Sequence, residues 1–123
     1  MTTGSGEDAV RAVVADYVDG WFDGDAPRME QALHPELVKR CRGIAGDDPD
    51  ALETLSARDM IGATAEGAGR GEYASDRQIE VKLDYLSDGL AGVQCFCHRY
   101  VDLLHLIDMP EGWRIVNSVW RLR

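Results

Sequence analysis

Asp102 stands inside the apolar run Tyr100-Val-Asp-Leu-Leu-His-Leu-Ile107. A carboxylate placed there needs a hydrogen-bonding partner or a functional role, because burying it unpaired is costly. The structural alternative is a pairing with Arg99, Arg114 or a helix end. The functional one is a general base beside a donor to a developing oxyanion in a dry cavity. His98 can act as base or donor, or be a satisfied core histidine. His34 precedes Pro35, where it either ends a helix or faces a pocket. Tyr17 and Trp21 share one stripe of an N-terminal helix, where packing explains them and ligand stacking is the alternative. Cys41, Cys95 and Cys97 form an odd set without a secretory leader, so buried thiols are expected rather than disulfides or zinc ligands. No dinucleotide, P-loop, zinc-protease or nucleophile-elbow motif is present, and Gly67-Ala-Gly-Arg-Gly71 reads as a flexible loop. No metal and no cofactor is therefore expected.

These side chains must be held by a chain of 123 residues, the size of one domain. With 45% apolar and 28% charged residues, the balance is that of a folded protein rather than a disordered one. A net charge of −9 repels phosphate backbones and anionic bilayers, so neither nucleic acid nor membrane is expected as a partner. No apolar run approaches the roughly 20 residues of a membrane helix, and a cytoplasmic location is expected. A single domain over 7–123 follows, with 1–6 as a frayed or disordered end.

Ser5 with Asp8 suggests a cap for a helix whose apolar stripe is Ala9, Val10, Val13, Val14, Tyr17, Val18, Trp21 and Phe22. Gly24 is its left-handed stop, and Asp25 caps a short second helix through Leu33. Leu37 to Ile44 is expected as an edge strand because of its charges. Ser56 with Asp59 caps a third helix ending near Gly67, and a loose connection runs to Asp76. From Arg77 the period changes to two: Ile79, Val81, Leu83 and Tyr85 alternate with polar residues, and Asp88-Gly89 signals a hairpin. Leu90 to Ile107 is too long for one strand and should break around His98-Arg99. A turn at Met109-Pro-Glu-Gly112 leads to the final strand. Helices first and strands afterwards argue an α+β fold, three helices on one face of a curved antiparallel sheet.

Without a break in parity, Gln94, Phe96, His98, Tyr100, Asp102, Leu104 and Leu106 share one face of the long strand region. Val93, Cys95, Cys97, Arg99, Val101, Leu103, His105 and Ile107 share the other. The first set, mixed polar and aromatic, suits a pocket; the second suits an interface. A bulge near His98 would exchange the sets on one side of it.

The stretch from Tyr100 to Trp120, with its Gly turn and Trp113-Arg-Ile-Val116 opening the last strand, resembles the nuclear transport factor 2-like superfamily. Ala32-Leu-His-Pro-Glu-Leu-Val-Lys-Arg40, after a helix carrying Tyr17 and Trp21, is more specifically similar to its putative lumazine-binding branch, related to the polyketide-cyclase-like and ketosteroid-isomerase-like proteins. The resemblance implies a cystatin-like cone with an internal pocket, often in a dimer joined through the sheets. It also places Ile115 and Asn117 inward, so the pocket candidates become Asp102, Asn117, Tyr17, Trp21, His34, His98, Tyr100 and Phe96.

Three functions remain open. The first is a small-molecule domain taking an apolar or cyclic ligand. The second is a cofactor-independent isomerase, cyclase or dehydratase, with Asp102 as base and Tyr17 or Asn117 as donor. The third is a structural dimerisation module whose cavity its own side chains fill. A homodimer through the outer sheet face is expected on Val93, Cys95, Cys97, Val101, Leu103, Ile107, Val116 and Trp120, with Arg99 and His105 within it or at its rim.

Overall fold

The computed structural model describes residues 3–43, 47–70 and 76–123. Its elements run α1 (Thr3–Asp23), α2 (Ala26–Ala32), β1 (Leu33–Arg42), β2 (Leu52–Ser56), α3 (Ala57–Ala65), β3 (Glu80–Ser87), β4 (Leu90–Cys97), β5 (Tyr100–Met109) and β6 (Gly112–Leu122). The strands form one six-stranded sheet in the order β2-β1-β6-β5-β4-β3. Helices lie against one face of it, which is the α+β layering expected of this sequence.

The local chemistry of the chain sets these boundaries. The apolar stripe of α1 buries Val10, Val14, Tyr17, Val18 and Phe22, each at most 5% exposed. Its outer side carries Asp16, Asp19 and Asp23, which hold Arg28 of α2 and Arg77 before β3. The helix starts at Thr3, so Ser5 stands inside its first turn rather than capping it, and the Ser5 side chain lies outside the described residues. Gly24 takes a φ of +68°, which stops α1 cheaply in a left-handed conformation. The Asp25 carboxylate then accepts from the Arg28 N–H at 3.1 Å and opens α2. Ser56 and Asp59 make the reciprocal bonds of a capping box at the start of α3.

Two features of the sheet depart from expectation. First, β1 is central, paired antiparallel to β2 and parallel to β6, so the sheet is mixed and β1 is not an edge. β2 was not foreseen as a strand. Ile44, the expected end of β1, and residues 71–75 of the connection before β3 lie outside the described residues. Second, side-chain parity breaks twice. His98-Arg99 forms a two-residue hairpin in which Cys97 pairs with Tyr100, which puts both on one face. His98 there has a φ of +45°. In β6 the register slips between Ile115 and Asn117, opposite Leu106 and His105, leaving Val116 as the extra residue of a bulge.

The inner face is consequently Ala91, Val93, Cys95, Cys97, Tyr100, Asp102, Leu104, Leu106, Ile115, Ser118 and Trp120. Val93, Cys95, Cys97 and Trp120 were expected on the outer interface and instead face the helices. Phe96 and Asn117 were expected inside and lie outside. The core is built from Val10, Val14, Met29, Leu104, Leu106 and Ile115, all at most 1% exposed. All three cysteines are buried, and none is in a disulfide among the described residues.

Candidate functional site

Towards the Cys97 end of β4, the inner face does not close on α1. A partly enclosed cavity of about 110 Å³ remains there. Its walls come from five elements of the sheet and two helices: Tyr17, Val18, Trp21 and Phe22 of α1, Lys39 of β1, Leu55 of β2, Met60 of α3, Cys97 of β4, Tyr100 and Asp102 of β5, and Trp120 of β6. Five of these are aromatic. Tyr100 and Trp120 sit on neighbouring strands with ring centroids 5.8 Å apart, in a tilted arrangement. Gly69, just after α3, backs Trp21 so closely that a Cβ there would stand 2.5 Å from the indole Nε1.

One corner of this apolar space is polar. Lys39 is 7% exposed, Asp102 3% and Ser118 not at all. Asp102 Oδ1 accepts from Ser118 Oγ at 2.8 Å, Lys39 Nζ at 3.2 Å and Tyr17 OH at 3.3 Å. Lys39 also donates to the Tyr17 hydroxyl. The ammonium lies 4.9 Å from the Trp120 ring centroid and 5.0 Å from that of Tyr17, a cation–π arrangement strengthened by exclusion of water. Burial first, then the neighbouring Asp102 charge, pushes the Tyr17 phenol well above its ordinary value. Tyr17 is therefore a protonated donor at neutral pH. Beside it, the Cys95 thiol is raised by its hydrogen bond with Cys97 and by burial, while the same bond lowers Cys97.

The structure thus brings Tyr17, Trp21, Tyr100 and Asp102 together at the cavity and leaves four other candidates elsewhere. His34 Nδ1 accepts from the Glu36 N–H at 3.0 Å, a local turn at the start of β1. His98 occupies the hairpin, its backbone N–H donating to the Arg77 carbonyl at 2.7 Å. Phe96 faces outward beneath Lys82 and Arg123. Asn117 also faces outward, its Nδ2 3.1 Å from His105 Nδ1. For His98, Phe96 and Asn117 the cause is the pair of parity breaks, not the residue types.

Lys39, Ser118 and Cys97 were missed. Lys39 had a readable signal: in β1 it shares parity with Leu37 and Cys41, so burying those two carries the lysine inward. Ser118 had none, because only the bulge at Val116 turns it in.

The chain also has relatives. The family described as putative lumazine-binding matches residues 5–121. Among solved structures, a nuclear transport factor 2-like protein of unknown function from Silicibacter pomeroyi is similar with a TM-score of 0.77 at 22% identity, over 100% of both chains. A nuclear transport factor 2-like protein with a cystatin-like fold from Novosphingobium aromaticivorans gives a TM-score of 0.70 at 18% identity, over 96% of this chain and 82% of that one. One from Streptomyces avermitilis, described as a putative dehydratase, gives 0.62 at 12% identity, over 99% of each chain. At such identities the likeness shows the fold. No curated protein matches. Among the described residues no helix is long and apolar enough to cross a membrane.

Proposed function

The chain belongs to the putative lumazine-binding family within the nuclear transport factor 2-like proteins, and from that premise we propose that it binds a small, single-ring, largely apolar ligand. The observation that carries this reading is the cavity of about 110 Å³ walled by Tyr17, Trp21, Phe22, Tyr100 and Trp120. This is smaller than the roughly 150 Å³ apolar cavity that takes a benzene ring, so a single ring is the largest group the partly enclosed space would accept. Aromatic walls with a few convergent polar groups are the usual make-up of a small-molecule site. A ring carrying one oxygen would stack on the walls and turn that oxygen to Lys39.

Tryptophan fluorescence tests this directly, since Trp21 and Trp120 line the cavity and Trp113 does not. Titration with benzyl alcohol is expected to give a saturable change in the roughly millimolar range, as so few ligand atoms allow only modest affinity. Trp120→Phe should remove much of the signal. A change that rises linearly without saturating would overturn the reading.

Proton-transfer chemistry is the second reading, supported by a buried carboxylate beside a phenol donor. Asp102 Oδ1 is already engaged by three donors, so taking a proton from a bound ligand would fall to Oδ2. That engagement favours binding over abstraction.

We also propose a homodimer through the outer sheet face, on a patch smaller than the one read from the sequence. Leu103 and Val119 pair across β5 and β6 and are 46% and 48% exposed. Phe96 and Ile107, both half-buried, share that face with them, and Val101 lies buried between them. Sedimentation at micromolar concentration should report a dimer, and Leu103→Asp should yield a folded monomer by placing a charge in an apolar contact. A monomeric native chain would dismiss the idea.

A further inference from the structure

The chain holds two lysines, Lys39 and Lys82, against eleven arginines. Among the described residues the buried cation is Lys39. Arginine suits a buried ion pair better, because it never loses its charge and forks onto a carboxylate; lysine can release a proton and become a nucleophilic amine. A chain that uses arginine almost throughout has thus placed lysine where an amine could react. Lys39 also lines the cavity, and the oxygens of Tyr17 and Asp102 engage two of its three N–H bonds.

We propose that Lys39 captures the carbonyl of a small single-ring aldehyde or ketone in this cavity as an imine. The proposal rests on the cavity being a small-molecule site. The ammonium first passes a proton to the Asp102 carboxylate, 3.2 Å away. The freed Nζ lone pair forms a bond to the carbonyl carbon, and the carbonyl π electrons move to its oxygen. One nitrogen proton then transfers to that oxygen, giving a neutral carbinolamine. Tyr17, bonded to both Lys39 and Asp102, stands where it can relay this proton. Asp102 returns its own proton to the hydroxyl, which leaves as water while the nitrogen lone pair closes the C=N bond. The cationic iminium then faces the restored carboxylate, so the charge pairing of the resting site is kept. Exclusion of water protects the imine from hydrolysis, and the aromatic walls hold the ring beside the amine.

The test uses the unaltered chain with benzaldehyde and sodium cyanoborohydride, followed by peptide mapping for benzylated amines. On exposure alone Lys82 should dominate, its side chain being 55% exposed against 8% for Lys39. The proposal expects the reverse, with Lys39 labelled above both Lys82 and the terminal amine. Excess benzyl alcohol should suppress labelling at Lys39 only, and unfolding should abolish the preference. Labelling that follows exposure, with Lys39 the least modified, would overturn it. If benzyl alcohol titrates the tryptophan fluorescence while Lys39 stays unlabelled, the binding site stands and the amine chemistry falls. If neither occurs, both fall.

Discussion

Asp102→Ala is expected to destabilise the fold by about 3–5 kcal/mol, the cost of breaking a buried ion pair from one side. The substitution strips a shared acceptor from Lys39, Tyr17 and Ser118 at once. Ser118 and Tyr17 are neutral and can turn their hydroxyls, but Lys39 is left as a buried cation with only the Tyr17 oxygen and two ring faces. The double variant Lys39→Met/Asp102→Leu separates the two contributions. It removes both charges and fills the space with apolar atoms, which in comparable sites is close to neutral or stabilising. Urea unfolding should therefore place the double variant nearer the native protein than the single one. A single variant within about 1 kcal/mol of native would mean that water reaches Lys39 freely and that the network is not a dry one. Asp102→Asn keeps an acceptor oxygen and the side-chain shape, so it should fall between the two.

That network shows where sequence patterning stops being sufficient. The elements were legible because each had a local cause: the stripe of α1, Gly24 and Asp25 at the α1–α2 junction, the Ser56–Asp59 box, and Asp88-Gly89, whose φ angles of +51° and +80° suit a tight hairpin. Which face a strand residue takes is not local in this way. Cys97 and Tyr100 are an odd number apart and share a face only because the hairpin between them has two residues. Ile115 and Ser118 share one only because Val116 bulges. A single extra residue exchanges every later side chain between core and surface. Hence Asp102 and Tyr17 meet at the cavity, while Asn117 and Phe96, and Val93, Cys95 and Cys97 of β4, take the face opposite to the one expected. Two of the candidates at the cavity come from α1, whose helical period was unambiguous. Lys39 is different again. Its inward parity was visible, but its charge argued for an edge strand, and only the partner on β5 explains its burial.

Leu104→Ala is expected to cost about 2–5 kcal/mol, the range for removing a fully buried leucine. Leu104 is 0% exposed and sits in the middle of β5, paired with Val93 on β4 and Ser118 on β6. Ladders on both sides hold its backbone, so the surroundings can collapse little into the space left behind. That places the cost in the upper part of the range and implies a fall in Tm on the order of 10 °C or more for a chain this size. Leu52, 68% exposed on β2, supplies the control: its replacement by alanine should change stability by no more than about 0.5 kcal/mol. Leu104 does not line the cavity. The folded fraction of Leu104→Ala should accordingly titrate with benzyl alcohol as the native chain does, whereas Trp120→Phe should lose signal with little loss of stability. Thermal unfolding and fluorescence titration of the same three variants thus separate the residues that hold the cone from those that would meet a ligand. A Leu104→Ala chain as stable as Leu52→Ala would mean that β5 presents its other face to the helices, and the inward placement of Asp102 would fall with it.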